Sequence, residues 1–179
     1  LVSGASSEIV PHDCEYIRVE TANQMKATLT QLCQSPIGES ETSRVIFMSA
    51  AVSDHAPSEF SASKMKISKD SSYSVFMSPN SDIIADIGSM RSTLASYAKN
   101  NLKIVGFAAE SGDDESLLKY AREKLEKKNC DLIVANLIDE SFEKDENRVW
   151  LLDNISQVEI ATRSKIDVAD SIINKVLKV

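Results

Sequence analysis

No stretch of this chain approaches the roughly 20 consecutive apolar residues that a membrane-spanning helix needs. Its first residues, LVSGASSEIV, have neither the basic start nor the cleavage pattern of a secretory leader. These absences point to a soluble, cytoplasmic protein without a membrane partner. Cysteine is scarce: Cys14, Cys33 and Cys130 are an odd number with no C-x-x-C pair, so neither a disulfide framework nor a zinc site is indicated. His12 and His55 are far apart and no H-E-x-x-H spacing exists, which removes the common metal-ligand patterns. Positive charge is also short. With 20 Lys and Arg against 27 Asp and Glu, the formal charge is −7, which argues against broad nucleic-acid binding, since that relies on excess cations to displace counterions from phosphates. A few local lysines can still hold one small phosphorylated ligand.

What is present reads as one domain of 179 residues, 42% hydrophobic and 26% charged. Apolar segments of strand length alternate with segments of helical period, the pattern of βαβ units and a largely parallel sheet. YIRVE (16–20) predicts a strand, followed by a helix capped by Thr21 with Met25, Leu29 and Leu32 on one face. SPIGESETS (35–43) is a loop. VIFMSAAV (45–52) is continuously apolar, as a central strand buried on both faces should be. YSVFM (73–77) predicts another strand, and Ser81 can cap a helix through DIIADIGSM. KIVGFAAE (103–110) and DLIVANLI (131–138) are buried strands around an amphipathic helix, 115–129, with Leu117, Leu118, Ala121 and Leu125 inward. RVWLLD (148–153) and QVEIA (157–161) predict a hairpin, and a final helix buries Ile166, Ala169, Ile172, Ile173 and Val176. The expected fold is a Rossmann-like three-layer α/β/α arrangement with a C-terminal hairpin and helix.

Ligands of open α/β sheets bind beyond the carboxyl ends of the strands, which directs attention to SAAVSD, GFAAE and VAN. Small residues Ser49, Ala50 and Ala51 would let a flat ligand approach the backbone; close helix packing explains them equally. Asp54 could bind a cation or a ligand, or serve as a turn residue. Lys64 and Lys66 lie in a polar loop, where a mobile lysine can close on a phosphate or simply be solvated. Lys124 and Lys128, spaced i, i+4, present like charges on one helical face, which costs roughly 0.2–0.5 kcal/mol unless an anion lies between them. The helix dipole offers an alternative reason for lysines in a last turn.

LVSGASSE with Tyr120-x-x-x-Lys124 resembles the short-chain dehydrogenases, which would imply NAD(P). Glu8 and Val10, however, stand where that loop places glycines for the pyrophosphate. A broader resemblance joins TANQM, SAAVSD, KMK, NSDII, VGFAAE, AREKLEKKNCD and VAN, which in this order resemble the bacterial phosphopantothenoylcysteine synthetase domain. The resemblance implies a phosphopantothenate–cysteine ligase: 4'-phosphopantothenate and CTP give an acyl-cytidylate and pyrophosphate, and L-cysteine then displaces CMP. It implies Mg²⁺, no flavin in this part, a homodimer, and fusion to or association with a decarboxylase. It also implies that residues 1–179 form one ligase domain that lacks the family's N-terminal strand-turn-helix unit. Met48, Ser49, Ala50, Asp54, Ser81, Asp82, Ile83, Ile84, Phe107, Lys124 and Lys128 match nucleotide-binding positions. Lys64 matches a catalytic lysine on a flap. Ser81 replaces the family's proline and His55 an aromatic residue. A non-catalytic nucleotide-binding or regulatory domain, and a preference for ATP, are the alternatives.

Overall fold

A computed structural model of the chain describes residues 1–5, 10–35, 43–59, 61–66, 72–94 and 101–178. Most of the loop expected at 35–43, and Glu8 of the dehydrogenase-like stretch, lie outside the described residues. In chain order the elements are β1 (Val2–Ser3), β2 (Ile17–Arg18), α1 (Ala22–Gln34), β3 (Arg44–Met48), β4 (His55–Pro57), β5 (Met77–Pro79) and α2 (Ile83–Met90). Then come β6 (Leu102–Glu110), α3 (Asp114–Lys127), β7 (Leu132–Leu137), α4 (Ile138–Ser141), β8 (Glu146–Leu152), β9 (Gln157–Ser164) and α5 (Lys165–Leu177). They fall into two compact units, Leu1–Leu29 with Ala50–Ile83, and Thr30–Ser49 with Ile84–Val179.

The smaller unit holds two short ribbons. β1 and β2 pair in parallel, with Val2 opposite Ile17. β4 and β5 pair antiparallel, with Ala56 opposite Ser78. Thr21 caps α1 as expected: its Oγ1 accepts from the Gln24 backbone N–H at 3.1 Å, while Gln24 Oε1 accepts from the N–H groups of Glu20 and Thr21. This reciprocal box satisfies donors that a helix start otherwise leaves open. The inward face of α1 runs through Met25, Leu29 and Cys33, not Leu32, which is 38% exposed. Steps of four keep the stripe on one side, and the cysteine acts as a small hydrophobe there. Burial pushes the Cys33 thiol pKa up, opposed by the charge of Arg44.

The larger unit is built on a five-stranded sheet of order β3-β6-β7-β8-β9. β3, β6 and β7 run parallel, whereas β8 and β9 form the expected antiparallel hairpin. Because strand side chains alternate, the sheet buries both faces. One carries Val105, Leu132, Val134, Val149 and Leu151 against Val168 and Ile172 of α5. On the other, α3 packs on β6, β7 and β8 with Leu117, Ala121 and Leu125 inward, and Leu118 is only half-buried. Within this unit the three-layer expectation holds. In α5, Val168 and Ile172 are buried but Ile166 is 76% and Ile173 41% exposed, and Ala169 is exposed as well. A helix that packs on one side of a sheet has room for a narrower stripe than the apolar residues of this segment supply.

VIFMSAAV departs most from expectation. Its strand ends at Met48, and β3 lies at one end of the five-stranded sheet rather than at its centre, with Phe47 43% exposed. The predicted strand at 73–77 is likewise displaced: only Met77–Pro79 forms ladder pairs.

Two polar clusters fasten the larger unit. Arg148 donates to Asp114, Glu140 and Glu159 at 2.6–3.1 Å, joining β8 to α3, α4 and β9. The turn after β8 is fixed by Asp153, whose carboxylate accepts from the Ile155 and Ser156 N–H groups and pairs with Lys175 of α5 at 2.9 Å. Partial burial pushes the Asp153 carboxyl up, but Lys175 and the N–H donors outweigh it and hold the group well below the usual carboxylate range. A depressed folded pKa gives stability that is present above the unfolded value of about 3.9 and is lost as pH falls below it. Asp153→Asn should therefore cost about 1–3 kcal/mol at neutral pH, and urea titrations should show the gap from wild type closing below about pH 4. A gap that does not change with pH would assign the loss to packing instead.

Candidate functional site

The strand ends of the larger unit make a notch. β3 stops at Met48, paired with Gly106, while β6 continues to Glu110 with β7 on its other side. The candidate residues of this unit meet around Gly106. Met48 is its strand neighbour, and Ile84 of α2 reaches over it: a Cβ at 106 would lie 3.0 Å from Ile84 Cδ1 and 2.8 Å from Ile133 Cδ1. Phe107 follows in the strand, and its carbonyl accepts from Lys124 Nζ at 3.4 Å. The same ammonium lies 4.0 Å from Glu110. A cation carried by α3 thus stands over the end of β6, where open α/β sheets take their ligands.

Lys128 is positioned by a second close approach. It is the C-cap residue of α3, and its carbonyl packs against Gly88 of α2 so closely that a Cβ there would overlap it. Asn129, in the left-handed region at φ 51, donates to the Gly88 carbonyl at 2.9 Å. Ile84 and Gly88 are one helical turn apart, so a single face of α2 seats on both β6 and the end of α3. Asp131 holds the neighbouring strand starts, accepting from the Ile104 N–H at 2.7 Å and from the Arg91 guanidinium.

Phe107 contributes differently on its two sides. Its side chain lines an apolar cavity of 370 Å³ with Phe47, Val134 and Ile172 on the α5 side of the sheet. Only its carbonyl faces Lys124. Asn147 also lines this cavity, and its Oδ1 is buried without a hydrogen-bond partner among the described residues. Tyr120, the other half of the dehydrogenase-like pair, is 59% exposed and lies outside this cluster.

The remaining candidates belong to the smaller unit. The Asp54 carbonyl accepts from the Asn80 N–H at 2.7 Å and Asn80 Nδ2 donates to the Ser53 carbonyl at 2.8 Å, tying the Asp54 turn to the Asn80–Asp82 turn. Helix α2 begins at Ile83, so Asp82, not Ser81, immediately precedes it. Ser81 Oγ instead accepts from Lys26 Nζ of α1 at 3.1 Å. Ala50 and Asp54 are exposed, and Ile83 is buried at the start of α2. Lys64 and Lys66 are exposed on the polar segment 61–66, and among the described residues no hydrogen bond or ion pair joins Lys64 to the other candidates.

Sequence reasoning missed Gly88, Gly106, Glu110, Asn80 and Lys26. A glycine inside a strand signals close approach, so Gly106 carried a readable mark. Lys26 did not, because its partner is 55 residues away. Among the described residues there is no helix long and apolar enough to cross a membrane and no group of three or more His, Cys, Asp or Glu that could hold a metal ion.

Residues 1–179 match the family model described as the DNA/pantothenate metabolism flavoprotein C-terminal domain. The chain is 33% identical over 156 residues to the coenzyme A biosynthesis bifunctional protein CoaBC of Mycolicibacterium smegmatis, covering 85% of this chain and 36% of that protein. The protein of the same name from Haemophilus influenzae is 28% identical over 180 residues, covering 99% and 40%. A crystal structure of the C-terminal domain of CoaBC superposes with a TM-score of 0.71 at 25% identity, covering 98% of this chain and 70% of that one. The chain therefore spans less than half the length of these curated relatives.

The geometry at Phe107 makes Lys124 the cation best placed to meet an anion in the notch. Lys124→Met should weaken binding of inorganic triphosphate by about tenfold or more, read by calorimetry, with the urea midpoint close to wild type. Unchanged binding would remove Lys124 from the site.

Proposed function

The chain belongs to the DNA/pantothenate metabolism flavoprotein C-terminal domain family, and from that membership we propose that it serves coenzyme A biosynthesis as a CTP-dependent ligase of 4'-phosphopantothenate and L-cysteine. The observation that carries this reading is the convergence of Met48, Ile84, Phe107 and Lys124 around Gly106. A nucleotide base can use the open backbone at the end of β6, and a phosphate can use the ammonium beside it.

In the first step a carboxylate oxygen of phosphopantothenate attacks the α-phosphorus of CTP. The P–O bond to pyrophosphate breaks, giving the acyl-cytidylate. In the second, the cysteine amine attacks the acyl carbon, CMP leaves with the bonding pair, and the amine gives up a proton. Negative charge grows on phosphate oxygens in the first step, and fixed ammonium groups stabilise it more in a dry site than in water. Lys124 supplies such a group. Within the smaller unit, Lys26 supplies a cation near the Ser81–Asp82 turn, where it donates to Ser81 Oγ. Lys64, on its exposed segment, is the candidate to move onto the phosphates and exclude water from the mixed anhydride.

Mg²⁺ would neutralise phosphate charge in such a reaction. The described residues build no carboxylate cage for it. This suits an ion held mainly by substrate phosphates and water. We infer that the chain acts as a homodimer, with a decarboxylase activity on the same polypeptide or a partner.

Calorimetric titration of CTP, ATP and NADPH in Mg²⁺ buffer tests the reading. CTP should bind; ATP in its place would change the nucleotide class, NADPH alone would favour a dehydrogenase, and no nucleotide binding would refute the proposal. With phosphopantothenate and cysteine present, Lys64→Ala should lower ligation at least about tenfold while CTP binding persists. Nucleotide binding by the wild type without turnover would favour a non-catalytic domain.

A further inference from the structure

Glu110 stands in the notch without a part in the proposed chemistry. It ends β6 and pairs with Leu137 of β7. Strand side chains alternate, and the Phe107 ring lies on the α5 side, so Gly106, Ala108 and Glu110 share the opposite face, towards α2 and α3. That face presents a glycine, then a buried alanine, then a carboxylate. The chain turns at Gly112, in the left-handed region at φ 121, and α3 packs back on β6. Helical side chains lean towards the helix start, which carries the Lys124 ammonium along α3 to Glu110.

The resulting pair is loose. Lys124 Nζ lies 4.0 Å from Glu110 Oε1 and 3.4 Å from the Phe107 carbonyl oxygen, whereas Arg148 and Lys175 hold their carboxylates at 2.6–3.1 Å. With side chains 26% and 32% exposed, Lys124 and Glu110 can both be reached by an incoming ligand. A long, partly solvated ion pair costs little to open. An anion drawn to Lys124 therefore meets Glu110 as well. A free triphosphate places more negative charge beside that carboxylate, and the repulsion offsets part of what the ammonium contributes. A triphosphate that carries a divalent cation offers the carboxylate positive charge instead. Mg²⁺ suits a lone carboxylate, since proteins commonly bind it through one or two carboxylates plus substrate phosphates.

We propose that Glu110 is a specificity-determining residue, which makes the notch accept metal-complexed phosphates and reject free polyanions. Lys124 attracts any phosphate; Glu110 supplies the discrimination. The inference deepens the reading of the notch as a phosphate site and rests on it, and the sign of the magnesium effect separates the two. A site of lysines alone binds free triphosphate more tightly, because bound Mg²⁺ lowers the ligand's negative charge. A carboxylate in the site reverses that order.

Inorganic triphosphate titrated calorimetrically into the 179-residue chain at matched ionic strength, once with excess MgCl₂ and once with EDTA, tests this. The wild type should bind at least about tenfold more tightly with Mg²⁺. Glu110→Gln keeps the shape and removes the charge; it should bind free triphosphate at least about fivefold more tightly than the wild type and lose the preference for Mg²⁺. Glu110→Asp should retain that preference. Circular dichroism and urea midpoints check that both variants fold. A wild type that prefers free triphosphate, or a Mg²⁺ preference equal in wild type and Glu110→Gln, would overturn the role of Glu110 and leave the phosphate site standing. Triphosphate binding under neither condition would overturn the phosphate site itself, and this inference with it.

Discussion

Two missing side chains govern how the larger unit is put together. Gly88 lets the α2 backbone rest on the Lys128 carbonyl at the end of α3, and Gly106 lets Ile84 lie directly on β6. Ordinary helix and sheet layers are spaced by side chains on both partners; here one partner contributes none. The gain is positional. α2 becomes a gauge that fixes the end of α3, and the end of α3 fixes where Lys124 and Lys128 leave the helix. Asn129 closes the contact from the α3 side by donating to the Gly88 carbonyl, and its left-handed conformation turns the chain towards β7. The site thus depends on backbone-to-backbone contact that the lysines themselves do not reveal.

The sequence disclosed elements whose signals are local. Thr21 and Gln24 form a box within four residues, the apolar period of α3 agrees with its burial, and the β8–β9 hairpin closes over a short turn. Failures arose where a partner decides the outcome. VIFMSAAV has the composition of a strand buried on both sides, yet β3 ends at Met48 and leaves Phe47 exposed, because nothing in a run of apolar residues states where its neighbour stops. In α5, more apolar positions compete than the stripe can bury: Val168 and Ile172 are buried, Val176 packs partly buried against the same cluster, and Ile166 and Ile173 are left exposed. Leu32 lost to Cys33 for a similar reason: the helix chose the residue in phase with Met25 and Leu29, not the larger one.

The sequence named candidate residues but not their arrangement. Ordered motifs named Met48, Ile84, Phe107 and Lys124, and these share one neighbourhood in the larger unit. Ala50, Asp54, Ser81 and Asp82 belong to the smaller unit, where Asn80 knits the two turns together. Periodicity could not foresee that Phe107 would act on its two sides through different chemistry. Its ring fills an apolar cavity beside α5, and its carbonyl holds a cation beside α3. A strand residue divides its roles this way whenever both faces of the sheet are covered.

The segment bearing Lys64 has a physical reason to be where it is. Segment 61–66 is polar and exposed, with one internal hydrogen bond recorded, from Ser61 Oγ to the Ser63 carbonyl. Alone, such a segment has little to oppose its conformational entropy. Met65 is its one large apolar side chain, and it lies in the groove with Tyr73, Val75 and Phe76. Holding Met65 in that groove therefore also restrains its neighbours Lys64 and Lys66. An apolar anchor flanked by two lysines lets a loop be held by its middle while its charges stay free to swing.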